Sequence, residues 1–296
     1  MKRLRPFALY QPTSVREAVE LLAAQGGEAR VLAGGTDLLV DMKLGRVRPP
    51  AVINLKRIKG LDRIDRVEGG IRIGSLVPIS AIESSALVQR KHNALWQASR
   101  VLATQPVRNL ATIGGNLGRA SPASDMAPPL IIHGSLIEIE GVKGSRLVPA
   151  EAFHSGPGAS CLTPDEIITS VLLPEPTGRT GSAYRKLGKR GGGWDIALVG
   201  VGVGIRLDKT GEIADARIVL ASVGPTPLRA LTAEAGLRGA VPTEESLAEA
   251  AQTAAAETRP ITDLRATASY RRSLARVLTL RTLRDALYLA QREAPF

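Results

Sequence analysis

Val31-Leu32-Ala33-Gly34-Gly35-Thr36-Asp37-Leu38 and Ala111-Thr112-Ile113-Gly114-Gly115-Asn116 are the stretches on which this sequence turns. In the first, a short apolar run ends in two glycines, then a hydroxyl and a carboxylate, before a segment with helical spacing. Without side chains at Gly34 and Gly35, a ligand can approach the backbone closely and the amides can turn toward it. A helix N-terminus adds partial positive charge that suits phosphate, and Thr36 offers a hydroxyl donor. The same residues also suit an ordinary strand-to-helix turn. The second stretch repeats the glycine pair between Thr112 and Asn116, with Ala120-Ser121-Pro122-Ala123-Ser124-Asp125 close behind. Two such turns far apart in the chain suggest a diphosphate gripped from both sides. Neither fits G-x-G-x-x-G or G-x-x-x-x-G-K-[ST], so the dinucleotide fingerprint of parallel-sheet folds and the P-loop are both excluded. Gly200, Gly202 and Gly204 lie inside an apolar run and read as close packing within a strand.

Outward from the first stretch, Ser14-Val15-Arg16-Glu17 reads as a capping box opening a helix to about Gln25. A strand over 29–33 follows, and Thr36 is expected to cap a helix over 37–43. Val52-Ile53-Asn54-Leu55 and Ile71-Arg72-Ile73-Gly74 read as strands. Ser80-Ala81-Ile82-Glu83 reads as a second capping box, and apolar spacing predicts a helix over 94–102. Beyond the second stretch, a helix over 125–132 is expected to be interrupted by Pro128-Pro129, with strands at 136–140 and 167–173. Pro174 to Gly181 is the best boundary in the chain. After it come three strands, over 183–187, 196–207 and 213–223, then helices over 243–257 and 268–292. Strands followed by helices imply an α+β layer in which helices cover one side of a three-stranded antiparallel sheet.

Composition narrows the function. The single cysteine, Cys161, cannot furnish an internal disulfide or a cysteine-ligated iron–sulfur cluster. His92, His133 and His154 lie apart and show no metal-ligand spacing, so no metal site is expected. No apolar run approaches the roughly 20 residues that span a bilayer. The basic start, Met1-Lys2-Arg3, leads into no apolar segment with a cleavage site, so a cytoplasmic location is expected. A net charge of +11 raises the question of nucleic acid, but aromatics at 3% leave few stacking platforms. The densest basic stretch, Arg259 to Arg292, holds eight arginines among apolar residues at helical spacing. It reads as a solvated helical face or a surface for an acidic partner protein, and no nucleic acid is expected.

Taken together, these motifs resemble the FAD-binding medium subunits of the xanthine dehydrogenase and molybdenum-type carbon monoxide dehydrogenase family. The similarity begins at Phe7-Ala8-Leu9-Tyr10-Gln11-Pro12 and runs through Leu32 to Lys43 and Val52 to Leu55. It is strongest over Gln105-Pro106-Val107-Arg108-Asn109-Leu110 and the glycine turn that follows, with Ser121 to Asp125. It ends at Tyr184-Arg185-Lys186-Leu187-Gly188-Lys189-Arg190 and Asp195-Ile196-Ala197. Lys189 to Trp194 carries more glycine than the family spacing.

The resemblance implies a FAD-binding domain over 1–176, made of two α+β subdomains (about 1–57 and 58–176), and a C-terminal α+β flavoprotein domain over 177–296. It implies non-covalent FAD whose diphosphate meets Val31, Leu32, Ala33, Gly34, Gly35, Thr36, Asp37 and Leu38 on one side. Ala111, Thr112, Ile113, Gly114, Gly115 and Asn116 meet it on the other. By the same resemblance Asp125 binds the ribose–adenine side, Leu102 is an apolar neighbour of the cofactor, Ile168 makes a backbone contact near the isoalloxazine edge, and Lys186 stabilises negative charge on the reduced ring. A solvated edge-strand lysine is the other reading of Lys186. No catalytic residue is implied in this chain. Its partners would be a large molybdopterin subunit and a small subunit with [2Fe-2S] clusters, in a dimer of heterotrimers. Electrons would pass from those clusters through FAD to an external acceptor. Two rivals stand beside this: a self-sufficient FAD oxidase on the same fold, and a basic scaffold without flavin.

Overall fold

The structure, a computed structural model, describes residues 4–190 and 194–292. The basic start and the glycines at 191–193 lie outside the described residues. Three layers of sheet follow in chain order. The first is parallel, with Ala51–Asn54 between Ala8–Tyr10 and Arg30–Leu32. Its crossover helix Val15–Ala24 buries Ala18, Val19 and Leu22 against Ile53 and Leu55. Ser14 caps this helix by accepting from the Glu17 amide at 3.1 Å. The reciprocal bond is shifted by one residue, since the Glu17 carboxylate takes the Thr13 amide at 2.8 Å.

The second sheet is antiparallel, in the order Ile64–Val67, Gly70–Gly74, Ile167–Pro174, Leu136–Gly141, Gly144–Pro149. Ile71 and Ile73 point inward while Arg72 between them is exposed, the period of two that makes a half-buried strand. Helices Asn93–Val101, Ile113–Arg119 and Ala127–Ile132 cover it, packing Leu95, Ile113, Leu117 and Leu130 over its inner face.

The third sheet has four antiparallel strands rather than the expected three. Arg179–Gly188, Ala197–Leu207 and Ile213–Ala221 are joined by Leu228–Arg229, which pairs with Val219 and Leu220. Two residues carry no period that sequence can reveal. Helices Glu244–Glu257 and Ala268–Arg292 cover one face, with Leu231–Leu237 at the edge. Val199, Val201, Val203 and Ile205 point into that core. Their alternates, Gly202 and Gly204, meet Pro128 and Ile132 on the other face, where an added Cβ would come within 3.2 and 3.7 Å. The glycine-rich run is therefore a packing surface, as its place in an apolar strand implied. Among the described residues, no helix is long and apolar enough to cross a membrane.

Several local expectations fail for physical reasons. Thr36 does not cap the Leu38–Leu44 helix; Asp37 holds that position in the helical region, with no side-chain cap bond. Ser80 lies inside the Ile79–Ser84 helix behind Pro78, so the second capping box does not form. Pro128 and Pro129 open Ala127–Ile132 rather than interrupt it, because the first turn needs no amide donors. Arg271, read as part of a solvated face, is 3% exposed.

His92 and His133, distant in sequence, meet edge to face with ring centroids 4.7 Å apart. Both His92 nitrogens are buried and unpartnered. Burial pushes its pKa down to about 4, with Glu175 opposing and Lys91 adding to the depression. The stability contributed by a group depressed in this way is complete above the unfolded value of 6.5 and is lost as pH falls toward 4. From His92 alone, unfolding free energy at about pH 5 should lie about 2 kcal/mol below that at neutral pH. Urea titrations at the two pH values read this directly. An unchanged slope in a His92→Phe chain would refute it.

Candidate functional site

Strand Arg30–Leu32 delivers the first glycine turn to the edge of a cleft of about 1260 Å³. Gly35 sits at φ +80°, a left-handed conformation that glycine adopts without steric cost. Among the described residues, the amides of Gly34, Gly35, Thr36 and Asp37 donate to no group of the chain. Donors at a cleft wall are costly unless solvent or a ligand accepts from them, so the four of this turn are open to either. The helix behind it, Leu38–Leu44, has only seven residues, so the amides carry the electrostatics.

The second turn lies directly against the first. A Cβ on Gly34 would fall 2.0 Å from the Leu110 carbonyl oxygen, and one on Gly115 would lie 3.7 Å from the Ala33 Cβ. Its amides, however, are already spoken for. Gly114 donates to the Ser75 carbonyl at 2.9 Å, Gly115 to the Thr112 hydroxyl at 3.0 Å, and Asn116 to the Thr112 carbonyl at 2.9 Å. Only the first turn, then, keeps amides that no group of the chain accepts from; those of the second are bonded within the chain. Gly114 is glycine because a Cβ there would lie 2.6 Å from the Ser75 Cβ. What the second turn presents to the cleft is the bare face of Gly115 and the side chain of Asn116. Ser124 donates to Asn116 Oδ1 at 2.6 Å, leaving Nδ2 as the free donor.

The two turns are also bridged at the cleft wall itself, where Asp41, Arg46 and Arg119 all line the cleft. Buried Asp41 accepts from Arg46 Nη1 at 3.0 Å and pairs with Arg119 Nη1 at 2.9 Å. Arg119 ends the helix Ile113–Arg119 that the second turn begins, so one carboxylate ties both loops together.

Of the residues expected at the site, Val31, Ala33 to Leu38, Leu102, Ala111, Thr112, Gly114 to Asn116, Asp125 and Ile168 line this cleft. Leu32, Ile113 and Lys186 do not; Ile113 is fully buried in the core behind it. Lys186 is not the solvated edge lysine of the alternative reading. Its side chain is 1% exposed, and Nζ donates to Asp125 Oδ2 at 2.8 Å. Tyr184 donates its hydroxyl to Asp125 Oδ1 at 2.7 Å. Burial is the largest influence on Asp125 and pushes its carboxyl upward, while Lys186 and Tyr184 pull it down. Burial likewise holds Tyr184 far above the ordinary phenol value. Because Asp125 and Lys186 touch, they cannot serve opposite ends of an extended dinucleotide. The group that this pair turns toward the cleft is the carboxylate.

Sequence reasoning missed Tyr184, Ser124, Asp41 and Arg119, though all but Arg119 stand inside quoted motifs. It also missed the far wall, where Ile196, Ala197, Ser222, Gly224 and Arg271 of the C-terminal half complete the cleft. Only the tertiary fold brings those residues near the turns.

Comparison with known proteins accords with this geometry. The family described as the FAD binding domain in molybdopterin dehydrogenase matches residues 5–176. The CO dehydrogenase flavoprotein C-terminal domain matches residues 182–286. The carbon monoxide dehydrogenase medium chain of Hydrogenophaga pseudoflava is 34% identical over 95% of this chain and 96% of its own. The xanthine dehydrogenase FAD-binding subunit of Escherichia coli O157:H7 is 30% identical over 96% and 97%. A solved structure of the Hydrogenophaga pseudoflava carbon monoxide dehydrogenase, lacking the Mo-pyranopterin moiety, superposes with a TM-score of 0.93 at 35% identity. That match covers 97% of this chain and 99% of the other. With both halves matched in order and relatives aligned along nearly its whole length, the chain belongs to the FAD-binding medium-subunit family of the carbon monoxide and xanthine dehydrogenases, flavoprotein subunits of molybdenum-containing oxidoreductases.

Proposed function

We propose that this chain carries electrons from the [2Fe-2S] clusters of a small partner subunit, by way of its FAD, to an external acceptor. A large molybdopterin subunit would oxidise the substrate, in a cytoplasmic dimer of heterotrimers. The observation that carries the reading is the run of unpartnered amides, Gly34 to Asp37, opening into a cleft that the second turn and the C-terminal half complete. A fit test on these groups favours FAD: free amides and the Asn116 side chain suit a diphosphate, and apolar Leu102 and Ile168 suit a flavin ring. Bound FAD supplies a centre that accepts electrons singly and releases them in pairs.

The remaining roles belong to the chain. Val31 to Leu38 hold and orient the diphosphate. Ala111 to Asn116 set the width of its seat, with Ile113 anchoring that turn in the core. Asp125 accepts from a donor on the cofactor, and Lys186 opposes the upward push that burial exerts on that carboxyl. We place the division between the FAD-binding half and the C-terminal half at residues 176 and 177, with a subdivision near 57 and 58.

One cysteine in the whole sequence leaves the clusters to another chain. That favours a relay over a self-sufficient oxidase. Rapid mixing separates the two. A substrate-reduced complex of large and small subunits should bleach the flavin of this chain on contact and pass electrons onward only in its presence. Turnover of a small substrate with oxygen by this chain alone would overturn the proposal, and so would a full-length chain that takes up no FAD.

A further inference from the structure

Arg108 belongs to a quoted motif, yet it neither lines the cleft nor has a role in the reading above. Its side chain is nearly buried, and its guanidinium bonds a distant helix, the turn before its own helix and that helix's first residue. Nε donates to Glu83 Oε2 at 2.9 Å, on the helix Ile79–Ser84. Nη1 donates to the carbonyls of Leu102 at 3.1 Å and Ala103 at 2.9 Å. Nη2 donates to Gln105 Oε1 at 2.7 Å. Glu83 is itself fixed, since its carbonyl accepts from the Trp96 indole at 2.9 Å.

The two carbonyls belong to an unusual turn. Ala103 stands at φ +42°, a left-handed conformation that costs a residue with a Cβ on the order of 1 kcal/mol or more. Such strain persists only where surrounding bonds impose it. Here they come from one guanidinium gripping both carbonyls of the turn, and that turn forms cleft wall: Leu102 and Ala103 both line it.

We propose that Arg108 is a positioning residue for the flavin half of the cofactor. Through the Leu102 and Ala103 carbonyls it holds a strained turn that sets where Leu102 meets the ring. The proposal rests on the FAD reading of the cleft. Lysine cannot replace it, because an ammonium lacks the planar fork that reaches Glu83, Gln105 and both carbonyls at once.

The test uses the full-length chain and four variants: Arg108→Lys, Ala103→Gly, the double variant, and Ala103→Val. FAD affinity is read by quenching of flavin fluorescence, the ring's setting by visible circular dichroism at saturating FAD, and stability by urea unfolding. Arg108→Lys should weaken FAD binding about 10-fold and alter the flavin dichroism even at saturation. Ala103→Gly is the reference for the double variant, because glycine enters the left-handed region freely and removes the strain that Arg108 opposes. The double variant should regain most of the lost affinity and the parental dichroism while remaining less stable. Ala103→Val, which strains the turn with the arginine intact, should reproduce the Arg108→Lys binding defect. An Arg108→Lys chain that is merely less stable, with affinity and dichroism unchanged, would overturn the proposal, as would a double variant no better than Arg108→Lys. A parent chain that binds no FAD would sink the cofactor reading itself, a different and separately visible failure.

Discussion

A Gly34→Val chain should fold and yet purify without colour. The reason is local and severe. A Cβ at this position would lie 2.0 Å from the Leu110 carbonyl oxygen, 2.8 Å from its carbon and 3.0 Å from the Ala111 Cα. All three are backbone atoms, so no side-chain rotation relieves the overlap. The first turn must part from the second, and the free amides of Gly34 to Asp37 move off the cleft. FAD affinity should fall at least about 100-fold, equivalent to about 2.7 kcal/mol. The C-terminal sheet contributes nothing to this contact, and its unfolding in urea should be unaffected. Gly115→Ala makes the useful contrast. There the nearest atom to a new Cβ is the Thr112 hydroxyl at 3.0 Å, a side chain able to give slightly. Its loss should stay under about 10-fold. Flavin absorbance per chain after gel filtration measures both, and stoichiometric flavin in Gly34→Val would sink the argument.

The second large effect lies at Asp125. Asp125→Asn strips the Lys186 ammonium, 1% exposed, of its counter-charge. An uncompensated buried charge costs about 3–5 kcal/mol of folding free energy. The double variant Asp125→Asn/Lys186→Met should recover most of that, since replacing both members of a buried pair by uncharged groups is close to neutral. Lys186→Met alone should be milder in acid, because burial already pushes the Asp125 carboxyl upward and it can protonate. The sign follows: a carboxyl whose folded pKa is raised loses stability as pH climbs through and above the unfolded value, so the Lys186→Met deficit should grow with pH. Urea titrations across a pH series test all three chains. A double variant as unstable as Asp125→Asn would refute the pairing.

The long elements were legible because their periods are strong. Ala268–Arg292 and Ala197–Leu207 stand within a residue of where apolar spacing places them. The two glycine turns were legible as a pair, and the structure brings them together. Their chemistry was less so. Whether an amide is free depends on what packs behind it, and only the fold reveals that Ser75 and Thr112 occupy Gly114, Gly115 and Asn116. Asp125 and Lys186 are 61 positions apart, with no local pattern to announce their contact. Thr36 and Ser80 failed as caps because each has the right side chain one or two places from where the backbone turns. Arg108 stands inside a family motif, but its bond to Glu83, 25 positions away, and the left-handed turn at Ala103 show only in the fold.

The two halves meet where Gly202 lies against Pro128 and Gly204 against Ile132, and on the sheet's other face, within the C-terminal half, a Cβ on Gly181 would strike the Ala286 carbonyl at 2.1 Å. Main chain lies against main chain on both sides of the third sheet, with no long side chains between to act as a cushion. Contacts this close between the halves at Gly202 and Gly204 oppose sliding, and a hinge motion there would first have to draw Pro128 away from Gly202. The cleft between the glycine turns and the C-terminal half should then keep a near-constant width. On the FAD reading of the cleft, loading and release should run past the loops at its rim rather than through a parting of the two halves.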